Sequence, residues 1–100
     1  MARRGITESQ IEHSFKGMVS EGGGWCIKFP PIFLAGFPDR MVLLPGGRII
    51  FVELKKPTTT LRRLQEIRRD RLQALGFICL RIRTFEEIED FKKTYINGDL

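Results

Sequence analysis

Residues 39–55 read DRMVLLPGGRIIFVELK, and the rest of the chain is best understood outward from them. Leu44-Pro45-Gly46-Gly47 is a turn: proline suits its second position, and Gly47 can take a left-handed backbone. A three-residue loop of Pro45, Gly46 and Gly47 joins two strands, 39–44 and 48–55, into a hairpin. Met41, Val42, Leu43 and Leu44, then Ile49, Ile50, Phe51 and Val52, put apolar side chains on both faces of both strands. Such strands are buried on two sides, so helices should cover both faces of the sheet.

The hairpin also sets a register. With Pro45 to Gly47 in the loop, Leu44 pairs with Arg48, and counting outward places Asp39 opposite Glu53. Directly opposed residues project to one face, with Cβ atoms about 5 Å apart. Lys55, two residues beyond Glu53, shares that face. Two carboxylates side by side repel each other, and burial aggravates the repulsion. A divalent cation between them relieves it, and an all-oxygen donor set favours magnesium or manganese over zinc. Such an ion can polarise a phosphodiester and help deprotonate water. Lys55 would then orient that water or stabilise charge developing on the phosphate.

Working outward, residues 6–20 predict a helix. Thr7 caps it, Gln10 closes a capping box, and Ile6 with Ile11 forms a hydrophobic staple. Ile11, Phe15, Met18 and Val19 make its apolar face, and Gly22-Gly23-Gly24 ends it. Trp25 to Phe29 predicts a short strand, stopped by Pro30-Pro31. A second helix is expected from Leu61 to Leu75, capped by one of Thr58, Thr59 or Thr60 and closed by Gly76. Its apolar stripe is Leu61, Leu64, Leu72 and Leu75. Arg62, Gln65 and Arg69 lie on one flank of that stripe and Arg68 within it. Phe77 to Ile82 predicts another strand. Thr84 and Glu87 form a second capping box, opening a last helix with Phe85, Ile88, Phe91 and Tyr95 on one stripe. The order α-β-β-β-α-β-α predicts an α/β fold with a four-stranded mixed sheet flanked by helices.

The 100 residues are expected to form one domain, residues 1–100. No apolar run approaches the roughly 18 residues of a membrane span, and the basic start has no apolar stretch behind it to make a secretory signal. The net charge of +5 favours a polyanionic partner, nucleic acid before anionic lipid. Cys26 and Cys79 lie far apart without a C-x-x-C spacing, and His13 has no partner. The expectation is two buried thiols in a reducing cytosol, and no zinc site.

Gly36-Phe37-Pro38-Asp39 followed by Phe51-Val52-Glu53-Leu54-Lys55 resembles the PD-(D/E)xK nuclease superfamily. It resembles most closely its virus-type replication-repair branch, the VRR-NUC domains. The likeness runs through Ile11-Glu12, Gly23, Lys28-Phe29, Gly36-x-Pro38-Asp39, the Met41–Gly47 segment, Glu53-x-Lys55, Leu64-Gln65 and Leu75-Gly76-Phe77. It implies a restriction-endonuclease-like fold and a DNA endonuclease dependent on Mg2+ or Mn2+, with no organic cofactor. By the same resemblance Asp39 and Glu53 bind the metal, the carbonyl of Leu54 adds a neutral oxygen, and Lys55 is the catalytic lysine. Gln65 matches the glutamine of the following helix. On a helical wheel Glu8 and Glu12 both lie beside the apolar face, about 40° apart, and periodicity does not choose between them; the resemblance selects Glu12 as the helix ligand. Lys28, Lys56, Arg62 and Arg69 are the expected DNA contacts, although the arginine face of the second helix reads equally well as a solvated surface. The family often carries a polar, basic loop after Lys28-Phe29, whereas this chain has Pro30-Pro31-Ile32-Phe33-Leu34-Ala35.

Small members of the family resemble symmetric dimers that cut branched DNA such as four-way junctions. A homodimer is therefore expected, with the apolar loop Ile32, Phe33, Leu34 and Phe37 in or beside its contact. The competing reading of that loop is a plug on its own core. The expected setting is the cytoplasm of a bacterium, a phage-infected cell, or the nucleus in a eukaryote. The alternative function is a nuclease-like module that holds nucleic acid or a partner without cutting.

Overall fold

The computed structural model describes residues 5–30, 32–54 and 62–98. The elements run α1 (Glu8–Glu21), β1 (Trp25–Lys28), β2 (Arg40–Leu44), β3 (Arg48–Leu54), α2 (Arg63–Ala74), β4 (Ile78–Ile82) and α3 (Phe85–Phe91), the last continued by a π-helical turn (Lys92–Ile96). The four strands lie in the order β1-β2-β3-β4. The first three are an antiparallel meander, and β4 runs parallel to β3. This is the expected mixed sheet, in the expected order of elements.

The start of α1 follows from local chemistry. Thr7 Oγ1 accepts the Gln10 N–H at 3.1 Å, and Gln10 Oε1 accepts the Thr7 N–H at 2.8 Å. Two of the helix's four unpaired donors are satisfied by this exchange. Ile11, Phe15, Met18 and Val19 then bury against Val42, Leu44, Ile50, Val52 and Leu54, with Ile82, Ile88 and Phe91 completing this core. The other face of the sheet carries a smaller cluster of Phe51, Leu72 and Cys79, with Phe29, Phe37 and Met41 packed on it. Helices do cover both faces, but unequally.

The turn of the hairpin uses its two glycines at φ +85° and +73°, a region costly for any residue with a Cβ. Gly36 answers a different demand. Its φ is +77°, and a Cβ there would lie 2.6 Å from Leu64 Cγ and 2.9 Å from the Leu64 carbonyl. The glycine lets the start of α2 sit directly on the segment leading to Asp39.

Several local expectations need correction. Thr58, Thr59, Thr60 and Leu61 lie outside the described residues, and the N-cap of α2 is Arg62. There the Gln65 side chain closes the first turn by accepting the Arg62 N–H at 2.8 Å. The leucine stripe of α2 is not a core stripe: only Leu72 is buried, while Leu64 and Leu75 are exposed. An Arg-rich helix beside a thin cluster has little apolar surface to cover it. In α3 the Thr84 cap holds, with the Glu87 N–H donating at 3.0 Å, but the Glu87 carboxylate turns to the Arg83 N–H at 2.7 Å. Phe85 is exposed, whereas Ile88 and Phe91 are buried. Cys79 is buried as expected, but Cys26 is only half-buried.

Candidate active site

The observed pairing Arg40↔Val52, continued by one residue, sets Asp39 opposite Glu53, as the hairpin count requires. Glu53 is buried, one of two charged residues in the core of the described chain. Its Oε2 accepts from Gln65 Nε2 at 3.3 Å. Gln65 therefore has two jobs at once: its oxygen closes the first turn of α2 and its nitrogen meets the carboxylate. A chain that places leucine at 64 and glutamine at 65 thus ties the helix start to the strand end.

Asp39 is held from two sides. Its Oδ1 accepts the Leu54 N–H at 3.1 Å, and its Oδ2 faces Arg40 Nη1 at 3.0 Å. Its backbone carbonyl accepts the Phe29 N–H at 2.9 Å, which extends the β1–β2 pairing past its formal end. Leu54 closes β3 and is buried.

Glu12 comes to this end of the sheet from α1. Its Oε2 lies 3.0 Å from Arg40 Nη2 and its Oε1 lies 3.9 Å from Lys28 Nζ. Glu8 is exposed one turn earlier. Glu12, Asp39, Glu53, Leu54 and Gln65 are thus gathered around the ends of β2 and β3, with Lys28 at the rim. Lys55 and Lys56 lie outside the described residues.

Arg62 and Arg69 sit on α2, exposed and half-buried respectively. Arg69 also lines a small recess with Glu53, Gln65, Cys79 and Arg81, and its Nη2 lies 3.5 Å from Asp70 Oδ1. Arg68 donates from Nε to the Ala35 carbonyl at 3.2 Å, so it fastens α2 to the apolar loop. In that loop Phe33 stacks on Phe29 at 5.0 Å and Phe37 meets Phe51 edge-on at 5.5 Å. Ile32 is 93% exposed. Phe33 and Phe37 make ring contacts with the body, yet Phe33, like Ile32 and Leu34, stays exposed.

Two residues at this site escape a reading by pattern alone. Arg40 is 3% exposed and shares its face with Val42 and Leu44, so a charge at an inward strand position was the available signal. Arg81 is the register partner of Glu53 on β4, and it is the one charge in Ile78–Ile82. Burial first, and then the neighbouring Arg83, pulls its guanidinium below its ordinary value. Burial also pushes the Cys79 thiol up to about 11.

The donors at the site are oxygens, which suit a hard divalent ion. Buried Glu53 opposite Asp39 supplies the negative charge that such an ion would offset. Among the described residues no three Asp, Glu, His or Cys side chains already converge as a metal cluster; Glu12 is turned onto Arg40 instead. The residues fit the ion, with Glu12 needing to change partners to join them.

No protein-family model matches the chain. It is 42% identical over 71 residues to a protein of Acyrthosiphon pisum secondary endosymbiont phage 1 described as "Putative nuclease p44", covering 71% of this chain and 76% of that one. A solved structure described as a VRR_NUC domain superposes with a TM-score of 0.80 at 25% identity, over 90% of this chain and 99% of the other. With the sheet order, the opposed carboxylates and the glutamine on α2, these likenesses mean that the chain belongs to the VRR-NUC family.

Proposed function

We propose that the chain is a nuclease that hydrolyses DNA phosphodiester bonds with Mg2+ or Mn2+, using the site around Asp39 and Glu53. The observation that carries this reading is the pair itself: two opposed carboxylates at a sheet end, one of them buried and hydrogen-bonded to Gln65. Asp39, Glu53, the Leu54 carbonyl and Glu12 would hold the ion, and the ion when bound would polarise the phosphodiester and acidify a water.

The chain's own groups supply the rest. Gln65 keeps Glu53 in one orientation and fixes the helix start against the site. Lys55 follows Leu54 directly in sequence, and its ammonium would orient the attacking water and offset charge on the phosphate. Water gives up a proton to solvent and bonds to phosphorus as one P–O ester bond breaks, and the departing oxygen takes a proton from solvent. Arg62 and Arg69 contact neighbouring phosphates, and Lys28 and Lys56 add further phosphate contacts.

The finer reading is a homodimer acting on branched DNA. Ile32 and Leu34 support it, because exposed apolar side chains on a loop just ahead of Asp39 would pair two sites at a fixed spacing. Cleavage of four-way, flapped and linear DNA, with Mg2+, with Mn2+ and with chelator, tests the proposal. Metal-dependent cutting, strongest on the four-way substrate, is expected. Tight DNA binding without cutting under any metal would leave a binding module instead. Replacing Phe33 and Leu34 with serine and measuring mass by sedimentation tests the loop as the dimer contact: a folded monomer that no longer cuts the junction is expected, and a folded variant that stays dimeric would reject it.

A further inference from the structure

The corner between α1 and β2 holds a cation of the protein's own. Arg40 is buried, yet its guanidinium reaches two carboxylates at once: Nη2 to Glu12 Oε2 at 3.0 Å and Nη1 to Asp39 Oδ2 at 3.0 Å. Nη1 also donates to the Asp39 carbonyl at 3.2 Å. The flat, two-armed guanidinium is what lets one side chain serve both acids. Each acid is engaged through its second oxygen as well, Asp39 Oδ1 by the Leu54 N–H and Glu12 Oε1 by Lys28. A divalent ion arriving here meets acids that already have partners.

The partners differ in how easily they give way. Lys28 is 3.9 Å from Glu12 with a mostly exposed side chain, so it can retreat into water. Arg40 has a side chain only 4% exposed and no such freedom. A buried charge that loses its counter-ions is strongly disfavoured. Its positive charge, about 3 Å from the same oxygens, opposes a second cation in a region where screening by water is weak.

We propose that Arg40 is a positioning residue that holds Glu12 and Asp39 together in the metal-free protein and competes with a divalent ion for their oxygens. It assembles the corner and lowers its ion affinity at the same time. This inference rests on the metal-binding reading above.

Titration calorimetry with MnCl2 alone, on the metal-free wild type, Arg40→Met, Arg40→Lys and Asp39→Asn, tests it. Arg40→Met keeps length and apolar bulk but removes the cation. It should bind Mn2+ about tenfold tighter than wild type, through the loss of one buried positive charge. Its Tm without metal should fall, and its rise in Tm on adding Mn2+ should exceed that of wild type. Arg40→Lys, a single ammonium unable to serve both acids, should bind about threefold tighter. If Arg40→Met does not fold, Arg40→Lys decides alone. A folded arginine variant that binds Mn2+ no tighter than wild type overturns the role of Arg40. Binding by wild type that Asp39→Asn abolishes would in that case leave the metal site standing. No binding by any of the four proteins would overturn both readings.

Discussion

Helices α1 and α2 lie on opposite faces of one sheet and are held there by different forces. The first buries Ile11, Phe15, Met18 and Val19 and closes its start with a full capping box. The second buries Leu72 alone. It is fastened by polar tethers: Gln65 to Glu53, Arg68 to the Ala35 carbonyl, and Gln73 to the Cys79 carbonyl at 3.2 Å. Apolar burial is non-directional and acts over a whole face, whereas each tether fixes one point and nets only about 1 kcal/mol. One helix is therefore held by burial and the other by point contacts, so α2 should open more readily than α1.

The largest effect that can break this contrast is in the core. Phe15→Ala removes a fully buried ring that meets Phe91 edge-on at 5.1 Å. It should cost about 3–5 kcal/mol, while Leu72→Ala should cost about 2 kcal/mol. Urea unfolding followed by circular dichroism measures both. Equal losses would mean that α2 carries as much of the fold as α1.

Gln65→Ala should reverse the pattern. A residue that orients a ligand without binding the metal typically matters about 10–100-fold in activity. Stability should fall by no more than about 1 kcal/mol, because one hydrogen bond and a half-closed helix start are lost. Cleavage rates and urea midpoints of the same variant read the two quantities. A large stability loss with unchanged cleavage would make Gln65 a structural residue only.

Arg62→Ala and Arg69→Ala should leave turnover at saturating DNA nearly intact and weaken binding. Each should reduce the slope of log affinity against log salt by about 0.9. Unchanged slopes would take α2 off the DNA face.

Cys79, which lies under α2, matters only at high pH. Burial raises its thiol from an ordinary value of 9.0 to about 11. Between those values the unfolded chain has released the proton and the folded chain still holds it. Stability present below pH 9 is therefore lost as pH rises toward 11. Cys79→Ala should flatten that decline in Tm between pH 9 and 11. A decline of the same steepness would assign it to other groups.

Much of this was legible in the residues because it depended on local rules. The glycine turn, the count from Leu44 to Asp39 and the box at Thr7 each follow from neighbours within a few positions. What was not legible depended on distant partners. Whether the leucines of α2 are buried is decided by how much apolar surface lies opposite them, and the Phe51, Leu72 and Cys79 cluster offers little. Arg40 looked like one more basic residue of a basic chain, and only the approach of α1 made it a bridge between two acids. Arg81 became a neighbour of Glu53 through the parallel pairing of β3 and β4, which no short motif encodes. The start of α2 depends on Gln65, which closes the first turn from inside the helix, whereas residue type alone favours the threonines upstream as caps.

If Asp39 and Glu53 act together as the acids of a metal-dependent nuclease, cleavage must need both charges. Asp39→Asn and Glu53→Gln keep shape and remove charge, so both should fold. Their Mg2+-dependent cleavage of a four-way DNA substrate is the most direct test. Each rate should fall by about 10²–10³-fold or more, the scale on which losing one electrostatic stabiliser of a transition state is felt. Cleavage at the wild-type rate by either folded variant would contradict it.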